Sequence, residues 1–144
     1  MNLARGRTAL LALTFLLVPL VARAEVPVGV RVIKGSRSGK PQVDPRLADL
    51  KRQLSPLAYV RWEQLSERKI VLVHGKTEFV DLPGGDTVGV TLEEHRGDVV
   101  TLEVALTQRN TQSRLTVEKG QRIVHGVVPE KNGEAVFIVL TGWP

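Results

Sequence analysis

The sequence predicts an all-β protein, an antiparallel β-sandwich or partly open barrel of about 7–9 strands, with one short amphipathic helix near its N-terminal end. Three observations carry this. Apolar and polar residues alternate in run after run, turn residues punctuate the runs at intervals of roughly 8–12 residues, and a single stretch has the spacing of a helix.

Residues 1–24 stand apart from that fold. Arg5 and Arg7 precede a continuous apolar run, TALLALTFLLVPLV (8–21), and ARA (22–24) places small residues before a cleavage point after Ala24. That order is a secretory signal peptide. The alternative is a membrane anchor, but the run is about fourteen residues where a spanning helix needs about 20, and Pro19 interrupts it. No cysteine follows the run to accept a lipid. The expectation is export to the periplasm or medium, no stable membrane span after cleavage, and one domain over residues 25–144.

Cleavage changes the charge argument. Residues 1–24 hold Arg5, Arg7 and Arg23 and no acid, so of 20 Lys and Arg 17 remain against 15 acids, and the formal charge falls from +5 to +2. The remaining charges are scattered, with no basic run and no interleaved aromatics, which argues against nucleic acid as a partner. The absence of cysteine removes disulfides, thiolate nucleophiles and Cys-ligated metals together.

In VPVGVRVIK (26–34), Val28, Val30 and Val32 fall on one face by two-residue alternation. Pro27 favours an edge position for this strand, and GSRSGKPQVDP (35–45) reads as an exposed loop or tether. DPRLADLKRQLSP (44–56) is the helix. Asp44 can cap it, Pro45 suits its first turn, Leu47, Leu50 and Leu54 form one stripe, and Pro56 ends it. The stripe is expected against the sheet.

Strands then follow over 58–142 as a meander: AYVRWEQLS (58–66), KIVLVHG (69–75), TEFVDL (77–82), TVGVTLEEH (87–95), VVTLEVALT (99–107), SRLTVEKG (113–120), QRIVHGVV (121–128) and AVFIVLTG (135–142). One apolar and one polar face in the long strands point to antiparallel pairing.

The chemistry-bearing motifs resolve mostly into turns. Gly84-Gly85-Asp86 resembles a phosphate cradle, but an alternating strand follows it where a helix would be needed, so Pro83-Gly84-Gly85 reads as a hairpin turn. Arg96-Gly97-Asp98 also lies between two strands and reads as a turn. Glu93 and Glu94 should point to opposite faces. His74, His95 and His125 lie in separate elements and share no metal-ligand spacing, so no metal or other cofactor is expected. Ser36, Ser38, Ser55, Ser66 and Ser113 sit in no nucleophile motif. His125 shares a strand face with Ile123 and Val127. Tyr59, Trp62 and Trp143 remain as candidate contacts for a ligand or partner, with capping of the fold as the other role for Trp143.

YVRWEQLSERKIVLVHGKTEFVDLPGG (59–85) and RLTVEKGQRIVHGVVPEKNGEAVFIVLT (114–141) resemble small exported bacterial β-sandwich proteins of uncharacterised function. EKGQRIVHGV (118–127) is similar to a turn and strand in outer-membrane secretin domains. The resemblances imply a place in the cell envelope and bring no catalytic residues. The expected function is a non-enzymatic envelope module binding an envelope or secreted protein through a strand edge or the helix face. The alternatives are a small-ligand or carbohydrate binder and a periplasmic hydrolase built on His95 or His125.

Overall fold

The computed structural model describes residues 25–143; residues 1–24, where a signal peptide is expected, lie outside the described residues. Nine strands form two sheets among those residues. The first sheet holds β1 (Glu25–Ser36), β2 (Gln42–Val43), β3 (Arg61–Val73), β8 (Arg122–Lys131) and β9 (Glu134–Thr141) in the order β2-β3-β1-β9-β8. The second is a meander of β4 (Thr77–Asp81), β5 (Thr87–Arg96), β6 (Val99–Leu106) and β7 (Thr111–Glu118). The two are not closed into a barrel, and every pairing but the two-residue one of β2 with β3 is antiparallel. The expected sandwich is therefore present.

Alternation builds the space between the sheets. Val26, Val28, Val30 and Val32 of β1 face Val88, Val90 and Leu92 of β5 and Val100, Leu102, Val104 and Leu106 of β6 in one buried cluster. A second core lies on the outer face of the five-stranded sheet. There a 3₁₀ helix, Pro45–Leu50, runs into a single α turn, α1 (Lys51–Leu54), and lays Leu47, Leu50 and Leu54 on Ile33, Trp62 and Val139. Asp44 caps the segment by accepting from the amide of Arg46 at 3.0 Å. Arg31 reaches out of β1 to bind Asp49 in two hydrogen bonds of 3.0 and 2.8 Å, fixing the segment to the sheet. The leucine stripe docks as the sequence predicts, although most of the segment is the tighter 3₁₀ form.

Three expectations are corrected. β1 is a central strand, between β3 and β9, and not an edge. Pro27 is tolerated because the β9 ladder begins only at Gly29, so at Pro27 the strand has one neighbour. The runs 58–66 and 69–75 are parts of one strand, β3, with a bulge at Leu65 where Val32 pairs with Ser66 and Ile33 with Gln64. The loop 35–45 contains β2, two residues pairing parallel with Arg61 and Trp62. By contrast, Pro83-Gly84-Gly85 is the β4–β5 hairpin turn: Gly84 and Gly85 take φ of 83° and 84°, and the Leu82 amide donates to the Asp86 carbonyl at 2.8 Å. Arg96-Gly97-Asp98 is likewise the β5–β6 turn.

Candidate functional site

Each sheet ends in two edges, and the edges differ in how they are finished. On β3, beyond the short β2, the Asp44 carboxylate accepts from the Gln64 amide at 3.1 Å, while Arg46 donates to the Gln64 carbonyl at 3.0 Å. Asp44 and Arg46 are bonded to each other, so an ion pair stands where a neighbouring strand would be. The Arg46 guanidinium and the two amides hold the Asp44 carboxyl well below the usual carboxylate range. On β4, only five residues long, Arg68 donates to the Phe79 carbonyl at 2.9 Å. On β8 two bulges break the register, between Gly126 and Val128 and between Val128 and Lys131, and Pro129 lacks an amide. β7 carries such a device only at its last residue, where the Gln121 side chain accepts from the Glu118 amide at 2.9 Å; all eight residues pair with β6 without a register shift, and among the described residues no strand lies on its other side.

Beside β7 the space between the sheets opens into a cleft of about 380 Å³, reaching across to β8. The inward positions of β7 explain the opening. Val117 pairs with Val100, Leu115 with Leu102, Ser113 with Val104 and Thr111 with Leu106, so the inward side chains become polar along the strand. Apolar wall comes from Val104, Leu106, Val127 and Phe137, and the polar rim from Arg109, Thr111, Ser113, His125 and Glu130. His125 lies opposite Ile138, an inward residue of β9, so its imidazole faces the cleft side of the sheet. Burial holds its pKa below the ordinary histidine value, and the ring is neutral at pH 7. The acid on the rim, Glu130, is bonded to Arg37, whose guanidinium lies 5.2 Å from the Tyr59 ring centre. Among the described residues that line the cleft, Glu130 is the one carboxylate, and it is held in this pair. The arrangement suits binding: apolar surface, two hydroxyls, a neutral imidazole and a cation around one concavity.

Of the aromatic candidates, Tyr59 lines this cleft and Trp62 lies under it. Trp62 is 3% exposed and packs in the second core, with Tyr59 at 5.5 Å and Phe137 at 5.3 Å between ring centres, so it is not a surface stacking platform. Trp143 is elsewhere, packed against the inter-sheet core and edge-on to His95 at 5.5 Å. Its carbonyl accepts from the Gly120 amide at 2.9 Å, which ties it to the β7–β8 turn in the capping role. Gly142 beside it has to be glycine, because a Cβ there would lie 2.3 Å from the Glu118 carbonyl oxygen.

The histidines do not meet. His74 bridges to Leu92, His95 bonds the Gly97 carbonyl at 2.9 Å, and His125 lines the cleft. Among the described residues no three His, Asp or Glu are grouped to hold a metal ion. Glu93 falls at a bulge in β5 and meets Glu103 of β6, a pairing that strand alternation does not reveal. The protonated Glu103 can donate a hydrogen bond to the Glu93 carboxylate, which raises the Glu103 pKa, and Arg114 bonds Glu93 at 2.7 Å.

Sequence reasoning missed Arg109, Thr111 and Glu130 as site residues, and took Ser113 only as a serine without a motif. A signal was present: Ser113 and Thr111 break an inward series that begins with Val117 and Leu115. No protein-family model, curated protein or solved structure matches this chain.

Proposed function

We propose that the chain is a non-enzymatic exported module of the cell envelope that holds a protein partner by adding one of its segments, in extended form, to β7. The observation that carries this is the contrast among the edges: β3, β4 and β8 are each guarded, and β7 is open from Thr111 to Val117, with only its Glu118 amide taken by Gln121, beside an apolar cleft. An added strand takes its backbone hydrogen bonds from β7, and every second side chain enters the cleft. The helix face is a poorer partner surface, since its leucines are already buried on the sheet. Export rests on the pattern of residues 1–24.

Proline scanning of β7 tests the mode of binding. Successive residues of a strand direct their amides to opposite sides, so of Gln112→Pro and Ser113→Pro one removes an amide bonded to β6 and the other an outward amide. The expected result is that one variant is destabilised, while the other melts close to the parent and no longer captures its partner from cross-linked envelopes. Equal capture by the stable variant and the parent would rule out strand addition. A small ligand in the same cleft is the second reading, supported by the cavity's volume and polar rim; it predicts binding that survives both prolines.

A further inference from the structure

We infer that the segment received along β7 carries a carboxylate and that Arg109 is the residue that holds it; this rests on the strand-addition reading and adds the chemistry of the occupant. Besides Tyr59, the charged or titratable groups that line the cleft are Glu130, His125 and Arg109, and the first two are accounted for. Glu130 and Arg37 are bonded to each other, and His125 is neutral at pH 7 because it is buried. Arg114, next along β7, is bonded to Glu93. Of these arginines Arg109 alone forms no ion pair among the described residues, although it lines the same cavity as Val104 and Leu106.

Its place in the chain gives the cation a direction. Arg109 ends the 3₁₀ turn Thr107–Arg109, and Asn110, with a left-handed φ of 50°, swings the backbone into β7 at Thr111. The guanidinium therefore stands at the N-terminal end of the open edge. A segment added antiparallel to β7 runs from beside Glu118 towards Thr111, so its C-terminal end arrives at Arg109. Side chains at alternate positions enter the cleft beside Ser113 and Thr111. A guanidinium at that place can take a carboxylate with two parallel hydrogen bonds. The carboxylate can be the end of a chain or an Asp or Glu side chain in the last turn of the segment, and the chemistry is the same for both.

The test uses two random heptapeptide libraries, one with a free C-terminal acid and one amidated, selected on the mature protein. Selected peptides are then measured by fluorescence anisotropy against the parent, Arg109→Gln, and the stable member of the proline pair. We expect the pools to be enriched in a carboxylate next to an apolar residue. Arg109→Gln should weaken binding about 10-fold to 100-fold, the range for a charge-assisted hydrogen bond, and added salt should weaken binding to the parent more than to the variant. Loss of binding on amidation identifies a chain end; selection from both libraries with Asp or Glu retained identifies a side chain. Peptides that need the β7 edge but lack an acid, or bind Arg109→Gln as well as the parent, overturn the inference and leave strand addition standing. Failure of both libraries to yield a binder overturns both.

Discussion

The two long sides of the sandwich are finished by different means. On the β3 and β4 side, side chains occupy backbone groups that a further strand would use: Asp44 and Arg46 on Gln64, and Arg68 on Phe79. On the β7 and β8 side, β8 is interrupted by bulges and Pro129, but β7 is left regular and the core beside it gives way to a cleft. An exposed strand edge is a standing invitation to pair. Edge protection here is thus assembled residue by residue from three or four side chains, and it is applied selectively. The edge left open over most of its length is the one with room beside it.

The comparison breaks most severely if the helical segment is undocked, because that segment delivers Asp44 and Arg46 to β3. Leu50 is fully buried, and Leu50→Asp places an uncompensated charge beneath the stripe. Denaturant unfolding should show a loss on the order of 3–4 kcal/mol; a variant that unfolds like the parent would mean the segment is not what seals that side. Next in size is Gly142→Ala on the open side, where the new methyl meets the Glu118 carbonyl and forces the C-terminal segment from the β7–β8 turn. A loss of about 1–3 kcal/mol is expected by the same measurement.

Acid separates the two sides further. His125 has a lowered pKa in the folded protein, so the unfolded chain takes up the proton first, and stability falls as pH drops below about 6.5. Asp44 also has a lowered pKa, and its contribution is fully present above about 4 and lost as pH falls towards its folded value. Stability curves should show His125→Gln flattening the loss that sets in below about pH 6.5, and Asp44→Asn flattening the loss below about pH 4. Matching curves for parent and variants would mean that these groups do not distinguish the sides. The smallest effect on stability is expected from Thr111→Trp, which fills the cleft from an exposed position. It should change unfolding by no more than about 0.5 kcal/mol while abolishing partner capture.

What the sequence made legible is what local periodicity encodes. Val28, Val30 and Val32, the alternation of β5 and β6, the leucine stripe and the turn at Gly84-Gly85 each depend on residues a few positions apart, and each is found in place. The misplacements arise where neighbours are remote in sequence. Whether β1 is an edge depends on β9, about a hundred residues later, and Pro27 reports only on the start of the strand, not on the whole of it. SERK (66–69) looked like a break between strands because its charges lie on an exposed stretch of β3. The cleft was only half legible. Ser113 and Thr111 depart from the inward apolar series, but their meeting with His125 and Glu130 requires both sheets, and the partnership of Glu93 with Glu103 requires a bulge that no alternation rule predicts.

The central position of β1 has a consequence for the time course of folding. Its ladder with β9 joins Gly29 to Thr141 and Ser36 to Glu134, so the five-stranded sheet has a gap in its middle until residues near the far end of the chain arrive. Closing a loop of that length adds entropic cost before any contact rewards it, and folds dominated by such remote pairings reach their native state in milliseconds to seconds, not microseconds. The meander β4–β7 closes only short hairpins and can form ahead of it. In refolding followed by pulsed hydrogen exchange, amides of β5 and β6 should therefore gain protection before those of β1, and the valines that read most clearly as a strand in the sequence should be among the last to be locked in place.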